Sequence, residues 1–141
     1  DWSRWLARHG AEEGEAQALT REALAVLADA RFAAVFSAGS RAEAPIIGEA
    51  AGRPVRGIVD RLVVEPARVM VLDFKTDRPA PADPAKTPRA YLTQMALYRA
   101  VLSRIFPGKA VSCAILWTEA PLLLELPPAM LDAALASFAE G

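Results

Sequence analysis

The chain has 141 residues, 53% of them hydrophobic, and a net charge of -1 from 16 Lys plus Arg against 17 Asp plus Glu. That is enough apolar material for one core and predicts a single domain, while the balanced charge excludes a global field that gathers nucleic acid, so a polyanion site has to be local. The lone Cys113 excludes an internal disulfide framework and a Cys-based zinc cluster, and it fits a reducing, cytoplasmic setting. No apolar run approaches the roughly 20 residues of a membrane helix, and no signal peptide is visible.

The first segment, "DWSRWLARHGAEEG", starts without an initiator Met and in mid-helix pattern, with Trp2, Trp5 and Leu6 spaced for one face. It predicts a piece of a longer polypeptide. Residues 14–30 repeat Leu19, Ala23, Val26, Leu27 and Ala30 at helical spacing, and "RFAAVF" adds a short apolar turn. A helical lead-in over 1–36 is therefore expected. "AEAPIIGEA", "RGIVDRLVVE" and "RVMVLDFKT" are short, rich in Val and Ile, and divided by Gly, Pro and charged breaks, which predicts three neighbouring strands. The breaks "AAGRP" and "EPAR" suit hairpins and antiparallel pairing.

"DRPAPADPAKTP" holds four prolines in twelve residues and reads as a loop. Thr87 before Pro88 predicts an N-cap with Pro at the first helical position, opening a helix through "RAYLTQMALYRAVLSRIF" that "PGK" stops. "AVSCAILWT" is a fourth strand, "PLLLELP" a fifth or its hairpin partner, and "PAMLDAALASFA" a closing helix over 128–141. The order predicts an α/β fold with a mixed central sheet of about five strands flanked by helices.

Charges inside the second and third strands break the apolar pattern. With period 2, Val69, Val71, Asp73 and Lys75 share a face, as do Ile58, Asp60 and Leu62, and a hairpin register could set Asp60 beside Asp73. Two close carboxylates repel unless a cation lies between them, and oxygen donors without a His or Cys cluster favour a hard ion, magnesium or manganese. Lys75, two residues on, is placed to orient a water or neutralise a developing phosphorane, which suits metal-assisted attack of water on a phosphodiester. The plainer alternative is a pair of surface salt bridges, Asp73 with Lys75 and Asp60 with Arg61. On the following helix Tyr91, Gln94 and Tyr98 form one polar stripe. There Gln94 could hold a phosphate or water and Tyr98 could contact the backbone or stack on a base, or the stripe is an amphipathic core edge.

"GIVDRL", "VLDFKT" and "YLTQMALYR", in that order and spacing, resemble the D…DxK…QxxxY signature of the RecB-like branch of the restriction-endonuclease-like PD-(D/E)XK nucleases, closest to the carboxy-terminal nuclease domain of AddA-type helicase-nuclease subunits. The resemblance covers residues 40–127. It implies that Asp60, Asp73 and the main-chain carbonyl of Phe74 hold Mg2+ (or Mn2+), that Lys75 is the catalytic lysine, and that Gln94 and Tyr98 stand beside the site. Glu43 falls where the family often has an acidic residue on the first strand, and Arg61 is a candidate phosphate contact. The family commonly adds an upstream histidine ligand, and His9, the only histidine, stands before a Gly in a poor match to that motif. Arg53, Arg56, Arg61, Arg78, Lys86, Arg89 and Arg99 are candidates for a phosphate-binding rim. The implied function is a DNA exonuclease or endonuclease within an ATP-dependent, AddAB-type helicase-nuclease of double-strand-break repair, partnered by DNA and a second subunit. A nuclease-fold DNA-binding or docking module without activity and a stand-alone RecB-like exonuclease are the alternatives.

Overall fold

The computed structural model describes residues 18, 21, 22, 24–26, 28–30, 33, 35, 39–77, 79–119 and 122–141. Its centre is a five-stranded mixed sheet in the order β1 (Ser40–Ala50), β2 (Arg53–Val64), β3 (Arg68–Lys75), β4 (Ala110–Trp117), β5 (Leu122–Glu125). Neighbours pair antiparallel except β3 with β4, which are parallel. A parallel pair needs a crossover, and the helix α1 (Arg89–Ile105) supplies it. The last helix is α2 (Pro128–Glu140), with Pro at its start, where a missing N–H costs no helical hydrogen bond.

Both hairpins form where the Gly and Pro breaks predict them. Ala51 and Gly52 join β1 to β2 with φ of 51° and 71°, the two positive angles that a tight turn needs to match the twist of its strands. The β2–β3 turn closes with the Glu65 N–H donating to the Arg68 carbonyl at 2.8 Å.

Apolar side chains line both faces of the sheet. One face packs Val55, Val59, Val69, Val71, Cys113 and Ile115 against Met95, Val101, Leu102 and Leu131 of the two helices. The other packs Leu72, Phe74, Ala114 and Leu116 against Val26 and Val35. Val26, in helical backbone, thus covers the second face together with Val35, giving three layers.

The proline segment differs from its prediction at its end. Pro84–Lys86 forms a single 3-10 turn, capped by the Asp83 side chain accepting from the Ala85 N–H. Thr87 closes that turn instead of capping α1, and its buried hydroxyl finds no partner among the described residues. Pro88 takes the N-cap position in an extended conformation, and its carbonyl accepts from the Tyr91 and Leu92 N–H groups. The proline ring favours extended backbone at Thr87, and the 3-10 turn already uses the Thr87 N–H.

Close approach of α1 to the hairpin depends on two glycines. A Cβ at Gly57 would lie 2.1 Å from the Tyr98 hydroxyl, and one at Gly48 would lie 2.6 Å from Val101 Cγ1. Tyr98 is itself buried, so it has nowhere cheap to go. Gly57→Ala is expected to lower stability by about 1–3 kcal/mol, read from urea unfolding with an unchanged slope. A variant as stable as the parent would show that α1 does not seat on β2 in this way.

Candidate active site

Asp60 and Asp73 meet at the far end of the β2–β3 ladder. The paired run ends with Arg61 opposite Leu72; continuing the same count would bring Asp60 to Asp73, and the Asp60 carboxylate reaches the adjacent residue, Phe74. Both are almost fully buried, at 3% and 5% exposure. Burial of two carboxylates is expensive, so each needs compensation. Asp60 Oδ2 accepts the Phe74 N–H at 2.8 Å, and Asp73 Oδ2 takes the Lys75 ammonium at 2.8 Å. The Lys75 side chain is itself only 12% exposed. The Asp73–Lys75 bridge of the plainer alternative therefore exists, but it is not a surface pair.

Strict alternation does not run through Asp60. Ile58 is 48% exposed, whereas Val59 and Leu62, three residues apart, are buried in the same cluster. Ile58, Asp60 and Leu62 thus do not form the common face expected of them; the period slips beside Asp60. The adjoining stretch of β1 shares the distortion: Glu43 drops out of the ladder between the pairs Ala42–Arg61 and Ala44–Val59 and has a φ of 49°. A left-handed non-glycine residue costs about 1–2 kcal/mol, and such outliers gather at functional sites. Glu43 thus lies on the strand beside Asp60, at the break in the β1–β2 ladder. Among the described residues, however, no three His, Cys, Asp or Glu side chains converge closely enough to form a metal-binding group.

The donor chemistry still fits a hard cation. Magnesium is commonly bound through one or two carboxylates, with waters and substrate oxygens completing its shell, and two buried carboxylates side by side supply that share.

Helix α1 lays its polar stripe over this end of the sheet. The Tyr91 hydroxyl donates to the Asp77 carboxylate at 2.9 and 3.1 Å, and its ring lies under Lys75 Nζ, 4.2 Å from the centroid. Burial first, and the bond to Asp77 second, push the Tyr91 hydroxyl up to about 12, so it stays a donor near neutral pH. Gln94 Nε2 donates to the Tyr98 hydroxyl at 3.3 Å. The Tyr98 ring is buried at 6% exposure, and that burial excludes the base-stacking role the sequence suggested for it.

A groove runs beside Gln94 and Tyr98, lined also by Pro54, Arg56, Thr93 and Phe138. Arg53 lies over the Phe138 ring at 4.9 Å, and Arg89 Nη2 donates to Ser137 Oγ at 2.5 Å. Of the predicted rim cations, Arg56 thus lines the groove, Arg53 covers one of its lining residues, and Arg89 is tied to the last helix. Arg99 does not join them, because it bonds to Asp132 at 2.6 Å and to the Val111 carbonyl. Arg61 is half-buried, and desolvation lowers its pKa. Lys86 is exposed on the 3-10 turn, while His9 and Arg78 lie outside the described residues.

The sequence did not disclose the roles of Gly57, Asp77 or Trp117. Trp117 is fully buried and tilts against Tyr91 at 6.1 Å, so it backs the stripe. The "RGIVD" glycine two residues before a buried Val is the only sequence signal that could have marked the close approach of α1. Cys113 is buried, and burial pushes its thiol up to about 12, which suits an inert core residue.

A family profile described as PD-(D/E)XK nuclease superfamily matches residues 1–127. No curated protein matches the chain. Among solved structures, a "Putative exonuclease" from Eubacterium rectale superposes with a TM-score of 0.62 at 16% identity, over 86% of this chain and 50% of that one. The chain therefore spans about half the length of that structure, and at this identity the likeness shows the fold alone. SSO0001 superposes with a TM-score of 0.41 at 15% identity, over 72% of this chain and 49% of that one. No helix among the described residues is long and apolar enough to cross a membrane.

Proposed function

The chain belongs to the PD-(D/E)XK nuclease superfamily, and from that premise we propose that it is a magnesium-dependent deoxyribonuclease whose reaction centre is Asp60, Asp73 and Lys75. The observation that carries this reading is the juxtaposition of two buried carboxylates with a nearly buried lysine on one of them, at the end of the sheet. In this reading Asp60, Asp73 and the Phe74 carbonyl hold the ion, which when bound would polarise the scissile phosphate and acidify a water. The Phe74 N–H fixes the Asp60 carboxylate, so the same residue sets both sides of the ligand group.

Lys75 contributes positive charge where negative charge builds on the phosphoryl oxygens, inside a site that excludes much of the bulk water. Gln94, anchored on the Tyr98 hydroxyl, keeps its carbonyl oxygen available to orient the attacking water or its amide to hold a phosphate oxygen. The Mg2+ ion, with Mn2+ as its substitute, follows from the donor set and the family's general use of divalent ions. Activity within an AddAB-type helicase-nuclease that processes DNA ends for recombination, beside a partner subunit, is part of the proposal and rests on the motif resemblance. The supporting experiment incubates the chain with linear DNA and Mg2+ or Mn2+. Cutting that EDTA stops and fresh metal restores supports the reading; cutting indifferent to EDTA overturns it.

Substrate contact is assigned to the groove cations. Arg56 is exposed and faces no acidic residue in the groove lining, so it is available to a phosphate. Arg56→Ala is expected to weaken DNA binding and to reduce the salt dependence of log K by about 0.9 for duplex or about 0.7 for single strands. Fluorescence anisotropy at four salt concentrations measures it. An unchanged slope would remove Arg56 from the interface.

A further inference from the structure

Lys75 has two anchors, and only one of them is a charge. Its ammonium touches Asp73 Oδ2 at 2.8 Å and stands 4.2 Å from the centroid of the Tyr91 ring. The ring is in turn fixed from two directions. Its hydroxyl donates to both Asp77 oxygens, and its plane leans on the fully buried Trp117, the register partner of Lys75 on β4. A tyrosine braced by a carboxylate on one side and by a core indole on the other has little rotamer freedom left.

We propose that Tyr91 is a positioning residue: the face of its ring holds the Lys75 ammonium in the site when a cation engages the Asp73 carboxylate. The reason is competition for the same oxygen. Asp73 Oδ2 cannot give its full charge both to a divalent ion and to Lys75, and an ammonium deprived of that counter-charge swings toward water on its flexible stem. The aromatic face attracts the ammonium through its quadrupole, does not titrate near neutral pH, and supplies no lone pair that a hard cation prefers. It therefore retains Lys75 without competing for the ion. Asp77 acts one step further out, because its bond fixes the tilt of the ring. The consequence for catalysis rests on the nuclease reading above; the seat itself does not.

Two measurements keep the seat and the reading apart. In proton NMR of the metal-free chain, the Lys75 ε-methylene signal is expected upfield of a solvated lysine, because the ring current shields protons above an aromatic face. Adding Mg2+ is expected to leave that shift in place. Tyr91→Phe keeps the ring and should retain the shift; Tyr91→Leu, which keeps apolar bulk against Trp117, should abolish it. In DNA cutting, Tyr91→Leu is expected to lower kcat about 10-fold with little change in KM, and Tyr91→Phe to recover most of that loss. A Lys75 signal at its solvated position in the parent overturns the proposal, whether or not any variant folds. So does a Leu variant whose kcat equals that of the Phe variant. If the parent cuts no DNA, the nuclease reading falls, and the ring-current shift still decides whether Tyr91 seats the lysine.

Discussion

Asp73→Ala is expected to lower the rate of DNA cutting by about 1000-fold or more while leaving DNA affinity within a few-fold of the parent. Asp73 supplies one of the two carboxylates buried among the described residues, so its loss halves the fixed negative charge available to a divalent ion. It also leaves Lys75 with the Tyr91 ring as its remaining anchor among the described residues, in a setting where the side chain is 12% exposed. That second effect costs stability, on the order of 1–3 kcal/mol, because a buried donor loses its charged partner. Unfolding in urea alongside the cutting assay separates the two contributions. In the proposed reading DNA affinity rests on cations such as Arg56 in the groove, which does not touch Asp73, and so is expected to persist. A variant that cuts DNA at the parental rate would place the reaction centre elsewhere.

Lys75→Met is the second large effect, with cutting reduced by about 100- to 1000-fold, the range found when one preorganised charge or donor is removed from a developing oxyanion. Methionine keeps the length and apolar stem, so packing under Tyr91 is largely conserved. The difference from Asp73→Ala lies in the metal. With the competing ammonium gone, Asp73 Oδ2 is released from its 2.8 Å ion pair, and metal affinity should hold or rise while turnover falls. Titration calorimetry with Mn2+ beside the cutting assay reads both. Loss of metal binding together with activity would assign Lys75 a structural role in building the carboxylate pair instead of a chemical one.

Much of the architecture was legible because local and global signals agree. "AAGRP" demanded a tight turn and gave one at Ala51 and Gly52, and Val- and Ile-rich runs between breaks became strands in the predicted order. The juxtaposition of Asp60 and Asp73 could be reached by counting back from a hairpin, since antiparallel pairing fixes a constant sum of residue numbers. What counting missed is the slip beside Asp60. Period 2 assumes regular backbone, and the left-handed φ at Glu43 is a departure that no propensity scale anticipates in a non-glycine residue.

Helix α1 shows a different boundary. Its stripe placed Tyr91, Gln94 and Tyr98 on one face, but a helical repeat does not say which sheet residue lies beneath each of them. Tyr91 sits by Lys75, whereas Tyr98 is buried over Gly57, so equal spacing conceals unequal roles. The arginines were ambiguous for the same reason: closeness in sequence gathered seven cations, and the fold sends Arg99 to Asp132 and half-buries Arg61. Thr87 misled because its hydroxyl and the following Pro88 match a capping pattern, while the 3-10 turn at Pro84–Lys86 had already claimed its backbone.

The central claim is that Asp60 and Asp73 hold a hard divalent ion at the end of the sheet. Calorimetric titration of Mn2+ into the chain and into Asp60→Asn/Asp73→Asn tests it without reference to turnover, since the amides conserve shape and remove the charge. The account predicts saturable binding in the parent that disappears in the double variant, with both proteins folded by circular dichroism. Binding of equal strength in both, or no saturable binding in the parent, would contradict it.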